Sequence, residues 1–278
     1  MIDGLIEHRW ARLLRMPKWL LPVGRIFYAV GLIGIGVQHF LFHDFIPVIV
    51  ALWPAWMPGR PFWACVVGAA LVCAGVAMLF DIKGRAVAVV AGVALVVLVI
   101  AAHIPRQLMG HPANLVSWAD ALTALTLAGG AWITAISIGD GALKLPGSLE
   151  RILRAGRFFF AIMLIVFGID HFLYTAFVAT MVPAWIPGHR FWTYFAGVAL
   201  IAGGVGMLVR FTARLASLMV GIMIFLWFLI LHIPRAVADP HSGLGSEWTS
   251  VFEALAFSGI AFMLAAMAAS NGSSISND

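Results

Sequence analysis

Apolar residues run through this chain in stretches of about twenty, broken by short polar segments, which is the length a helix needs to cross a hydrocarbon core of about 30 Å. Lipid offers the backbone no hydrogen-bond partners, so such stretches must be helices. The pattern predicts eight, over residues 22–43, 61–80, 86–104, 117–138, 156–175, 191–209, 215–233 and 248–269. The fold class that follows is all-α, a polytopic membrane protein. Around the spans, residues 1–21 read as a basic amphipathic segment lying at the membrane surface, 139–155 as a cytoplasmic linker containing glycine, proline and charge, and 270–278 as a disordered tail. Residues 1–20 lack a clean apolar core followed by a small-residue cleavage site, so no cleavable signal is expected.

The eight spans are one unit of four written twice. GRIFYAVGLIGIGVQHFLF from Gly24 returns as GRFFFAIMLIVFGIDHFLY from Gly156, PAWMPGRPFW from Pro54 as PAWIPGHRFW from Pro183, and AAHIPR around His103 as ILHIPR around His232. Gly24 to Gly156 and His39 to His171 differ by 132, whereas Pro54 to Pro183 and His103 to His232 differ by 129. The first copy therefore carries three extra residues between His39 and Pro54. The repeats are 22–138 and 156–269. An even number of spans brings both copies into the membrane from the same side, so the expectation is two tandem four-helix bundles related by a pseudo-twofold along the membrane normal.

Composition agrees with the pattern: 63% hydrophobic and 10% charged residues, with a mean hydropathy of +1.02, exclude a water-soluble globule. The cations give an orientation. Thirteen of the seventeen Lys and Arg flank what the span count makes one face, so both termini are expected in the cytoplasm. The net charge of +5 is then a topology signal rather than a nucleic-acid footprint, because the basic residues are scattered over membrane-flanking loops. Arg60, Arg106, Arg190 and Arg235 fall on the other face, with eight of the nine histidines. Any chemistry is expected to face outward.

The repetition also sorts candidate residues, since a residue kept in both copies is one the unit requires. His103 and His232 end an apolar helix, the following proline is expected to end or bend it, and Arg106 or Arg235 comes next. These four residues read either as an interfacial helix terminus or as a binding site at the outer mouth. His39 and His171 lie late in the first helix of each copy, where an intramembrane histidine marks a functional site or a bond between helices. Trp56 and Trp185, in the PAWxPG segments, read as interface anchors or as the lining of a site for a flat apolar ligand. Asp120 and Glu253 look like equivalent carboxylates near the outer starts of the fourth and eighth helices, although the spacing after Trp118 and Trp248 differs. His43 has Thr175 as its counterpart, so a metal pair with His39 is not a property of the unit. Cys65 and Cys73 stand about 12 Å apart along one helix and cannot bridge, and no CxxC, phosphate-cradling loop or GxSxG elbow occurs.

A glycine-rich first helix ending in GxxHF, followed by PAWxPG and an FW that opens the second helix, resembles the DoxX family of bacterial membrane proteins. The resemblance covers residues 24–138 and 156–269, and it implies a four-helix membrane unit, here fused in duplicate, in a bacterial cytoplasmic (inner) membrane. Family relatives are associated with thiosulfate oxidation coupled to quinone and with membrane oxidoreductase complexes. His39, His171, Trp56, Trp185 and the PAWxPG prolines match the family pattern; HIPR is read from this chain.

Three readings follow. The first is a quinone-interacting subunit of a membrane oxidoreductase, in contact with membrane lipids and a soluble periplasmic redox partner. His and Arg would bind the ring oxygens, and Asp120 or Glu253 would relay protons. The second is a haem b protein with paired histidine ligands, His39 with His103 and His171 with His232. The third is a non-catalytic scaffold or small-molecule binding protein.

Overall fold

The computed structural model describes residues 16–110, 112–139 and 143–273, with side chains up to residue 268. Among the described residues, eight helices are long and apolar enough to cross a membrane: α1 (Leu20–Phe42), α2 (Arg60–Leu79), α3 (Gly84–Met109), α4 (Leu115–Ile138), α5 (Gly147–Leu173), α6 (His189–Leu208), α7 (Ala213–Ala238) and α8 (Ser242–Ala268). The protein is an all-α polytopic membrane protein. The expected surface segment before residue 16 and the expected tail after 273 lie outside the described residues. Residues 270–273, expected to belong to that tail, instead continue the last helix to Ser273. The expected linker holds a short helix, Gly147–Leu153, that leads into α5.

Two spans run further than the sequence suggested, and for one reason. The HIPR proline was expected to end or bend its helix, yet the chain stays helical to Met109 and to Ala238. In both repeats the turn before the proline widens into a π-helix, Val99–His103 and Phe228–His232. A proline inside an α-helix lacks an N–H and presses on the carbonyl four residues back. The wider turn shifts the hydrogen-bond register, so Pro105 and Pro234 stand in the first turn of a new α-segment, where neither defect matters.

Within each repeat, consecutive helices pack side by side: α1 on α2, α2 on α3 and α3 on α4, then α5 on α6, α6 on α7 and α7 on α8. The repeats themselves meet crosswise. α1 packs along α8, the fourth helix of the other repeat, and α5 packs along α4 in the same way. α4 and α8 also touch each other, and both are buried over most of their length, so they are the middle of the bundle. The crosswise contacts rest on glycine against glycine. A Cβ at Gly24 would stand 2.7 Å from the Gly259 carbonyl oxygen, and one at Gly129 would stand 2.7 Å from that of Gly156. Lipid tails are as apolar as leucine, so helices in a membrane gain by close backbone packing, which only small residues allow.

Side chains tie the same seams. The buried Tyr28 hydroxyl donates to the Leu127 carbonyl at 2.6 Å, and Arg85, at the start of α3, pairs with Glu150 at the start of α5. Gly59 and Gly188, the glycines of the two PAWxPG segments, cap α2 and α6 with φ of 77°, a conformation in which a Cβ is strained.

Candidate ligand-binding site

In the first repeat the histidine of the first helix and the HIPR histidine bracket one loop of the chain, and the second repeat is built differently there. His39 is fully buried; its Nδ1–H donates to the Ile35 carbonyl one turn back at 2.9 Å. That leaves Nε2 as an acceptor, and the backbone N–H of Ile46 donates to it at 3.4 Å. His103, also fully buried, donates from Nε2 to the Ile49 carbonyl at 3.4 Å, while its Nδ1 has no partner among the described residues. One imidazole thus accepts and the other donates, and a loop of the chain itself lies between them.

That loop occupies the mouth because of how α1 ends. His43 adopts a left-handed conformation, φ 50° and ψ 32°, which histidine tolerates better than most residues. The chain therefore reverses toward the bundle. Asp44 fixes the reversal, its Oδ1 accepting from the Phe45 N–H at 2.7 Å and meeting Nε of Arg60 at 2.6 Å. Phe45, Ile46, Val48 and Ile49 are buried, with the Phe45 ring against His39 on one side and Trp53 on the other. The three extra residues found in the sequence fall in this segment.

The second repeat has no such plug. Thr175 stands where His43 does, and a β-branched residue resists the left-handed turn; the chain instead forms a further helical turn, Thr175–Ala179. Phe177 in that turn is exposed. His171 keeps the geometry of His39, its Nδ1–H donating to Phe167 at 2.7 Å, and its ring lies nearly parallel to Trp227 at 6.4 Å. His232 resembles His103 in having a buried Nδ1 without a partner. An unbonded buried ring nitrogen costs least as a bare lone pair, which puts the proton on Nε2. No hydrogen bond engages Nε2 of His171 or His232 among the described residues, and both side chains are half-buried rather than sealed.

Each HIPR arginine carries a carboxylate, and here the expected equivalence needs correcting. Arg106 pairs with Asp120 on α4, whereas Arg235 pairs with Glu247 rather than Glu253 on α8. Gly129 and Gly259, which play matching roles in the packing, differ by 130, so the position matching Asp120 is Ser250. Glu247 and Glu253 stand three residues to either side of it, about 120° apart around the helix. The earlier one meets the arginine. Glu253 lies a turn deeper, within electrostatic reach of Asp120 across the central α4–α8 contact.

Trp56 and Trp185 are 78% and 73% exposed and stack on no other ring among the described residues, an exposure that suits interface anchors. The indole beside a histidine is Trp227, which repetition could not find, because its counterpart is Leu98. Asp170 was also passed over. It is only 8% exposed, its Oδ1 has no partner among the described residues, and it stands where the first repeat has Gln38. Gln38 is fully engaged across the seam, donating to the Gly245 carbonyl at 2.9 Å and accepting from the Thr249 hydroxyl at 3.1 Å.

The sequence profile of DUF8561, a family described as a domain of unknown function, matches residues 160–269. No curated protein and no solved structure matches the chain. The matched stretch is most of the second repeat, and it includes His171, Trp227, His232, Arg235, Glu247 and Glu253.

Cys65 and Cys73 are free thiols, and among the described residues no three His, Cys, Asp or Glu side chains are grouped to hold a metal ion. The residues of the first repeat do not fit a haem: both Nε2 atoms that would ligate iron are engaged by backbone, and Phe45, Ile46, Val48 and Ile49 fill the space between.

Proposed function

We propose that this chain is a quinol-binding subunit of a bacterial inner-membrane oxidoreductase, resembling DoxX relatives, with its histidine end facing the periplasm and both termini in the cytoplasm. The observation that carries the reading is that His171, whose Nε2 is left as an acceptor, lies beside the Trp227 ring on the helix that carries His232, whose Nε2–H is left as a donor, and neither Nε2 has a hydrogen-bond partner among the described residues. A hydroquinone complements such a pair. It is flat and apolar, one hydroxyl donates to His171, and the opposite oxygen accepts from His232. The ligand arrives from lipid, as its hydrophobic tail requires.

The Arg235–Glu247 ion pair stands within electrostatic reach of His232 and is neutral overall, so it holds polar groups at the site without adding a net charge. Oxidation of one quinol to quinone releases two protons and two electrons. The electrons go to a soluble periplasmic redox partner, and the protons leave in turn through Nε2 of His171, the ring nitrogen that accepts from the quinol hydroxyl, to the periplasmic face. Asp120 and Glu253, within electrostatic reach of each other across the central contact, are the second candidates for proton transfer.

Titration of detergent-purified protein with a short-tailed 1,4-benzoquinol tests the reading. Saturable quenching of tryptophan fluorescence, lost in His232→Ala protein, is the expected result. A flat titration, together with lipid extracts of the native preparation that hold no quinone, overturns it and leaves the scaffold reading. A Soret band in the same preparation would point to haem instead.

A further inference from the structure

We infer that only the second repeat takes a ligand, because the first repeat is permanently filled by its own loop. Segment 45–49 does in the first repeat what the ligand does in the second: the Ile46 N–H supplies a donor to the first-helix histidine, and the Ile49 carbonyl supplies an acceptor to the HIPR histidine. The two amide groups are held in register by a tight turn, in which the N–H groups of Ile49 and Val50 both reach the Ile46 carbonyl. The occupant is thus an internal stand-in that shows which hydrogen-bonding pattern the open pair accepts.

Four features keep the first site shut, and the second repeat lacks each of them. The segment is three residues longer there, which gives it the reach to enter the mouth. His43 makes the left-handed turn that Thr175 does not make. Asp44 and Arg60 clamp the turn, whereas their counterparts are Ala176 and His189. Finally, Phe45, Ile46, Val48 and Ile49 bury four apolar side chains, all of which a ligand would have to displace. A small ligand gains too little to repay that. In the second repeat the corresponding segment, 175–182, buries only Ala179 and leaves Phe177 exposed, and Trp227 offers a ring face that the first repeat lacks.

The identity of the ligand rests on the quinol reading, while its location does not. Two measurements on the intact protein separate them. Isothermal titration with the short-tailed benzoquinol is expected to give one ligand per chain, with affinity reduced about tenfold or more in His232→Ala protein, the loss of one buried hydrogen bond. Diethyl pyrocarbonate labelling of the wild-type protein, read by mass spectrometry, needs no ligand and no variant. His171 and His232 are expected to be modified, and His39 and His103 to stay unmodified until the protein is unfolded. Two quinols bound per chain, or equal labelling of the two histidine pairs, overturns the inference. Absence of quinol binding with the asymmetric labelling intact removes the quinol reading and leaves the single open site standing.

Discussion

Arg235 grips Glu247 with two nitrogens, Nε at 2.9 Å and Nη2 at 2.5 Å, whereas its counterpart Arg106 reaches Asp120 through a single contact of 3.6 Å. The forked pair is also less exposed. Fork geometry and partial burial both strengthen an ion pair, while an exposed single contact is worth little. Double-mutant cycles read by thermal unfolding in detergent are expected to give a coupling of about 1 kcal/mol for Arg235 with Glu247 and roughly 0–0.5 kcal/mol for Arg106 with Asp120. Equal couplings would contradict the geometry.

The glycine contacts make a sharper prediction. Gly24→Val and Gly129→Val force side chains against a neighbouring carbonyl and are expected to cost about 2 kcal/mol or more, seen as early loss of the monodisperse peak in gel filtration after heating. Gly147→Ala is the control, because a Cβ there meets nothing within 4 Å and the residue begins a helix. It should leave stability unchanged or slightly raised.

Asp170 is a buried carboxylate with one oxygen unsatisfied, beside a repeat in which Gln38 has every polar atom engaged. Removing the charge while keeping the shape, as in Asp170→Asn, is expected to raise the unfolding free energy by about 1 kcal/mol. A lower melting temperature would show that Asp170 has a partner that the fold supplies.

Because α1 lies on α8 and α5 on α4, the repeats are expected to fail singly and succeed together. Residues 1–141 or 142–278 produced alone should aggregate or be degraded, whereas co-expression should give a one-to-one complex recoverable through a tag on either piece. Two independently stable halves would mean that the seams contribute little.

The long apolar runs made all eight spans legible, with ends that mostly lie within two or three residues of those found, because length and composition decide insertion almost alone. Residues shared by both copies were legible through the repetition itself: in the first repeat His39 and His103 bracket one loop that bonds to both rings. What stayed hidden depended on tertiary context. A proline motif does not announce that a π-turn will absorb it, so the sequence predicts an end or a bend at Pro105 and Pro234 where the helix continues. Trp227 was invisible to a filter that keeps only duplicated residues, and a site used by one repeat alone is built partly from residues of that kind. The three-residue insertion was counted correctly, but only the left-handed turn at His43 shows that it points inward.

The crosswise seams also bear on how two unlike ends can coexist in one molecule. A lone four-helix unit with these packing faces would need a second chain to supply the helix that its first helix lies on, and every sequence change would then appear at both ends of the pair. Joining the units by residues 139–155 replaces that encounter with an intramolecular one, at an effective concentration in the millimolar range. It also breaks the identity of the partners. One repeat is free to harden into scaffold while the other keeps its histidines unfilled, a division of labour that a homodimer of the same helices could not inherit.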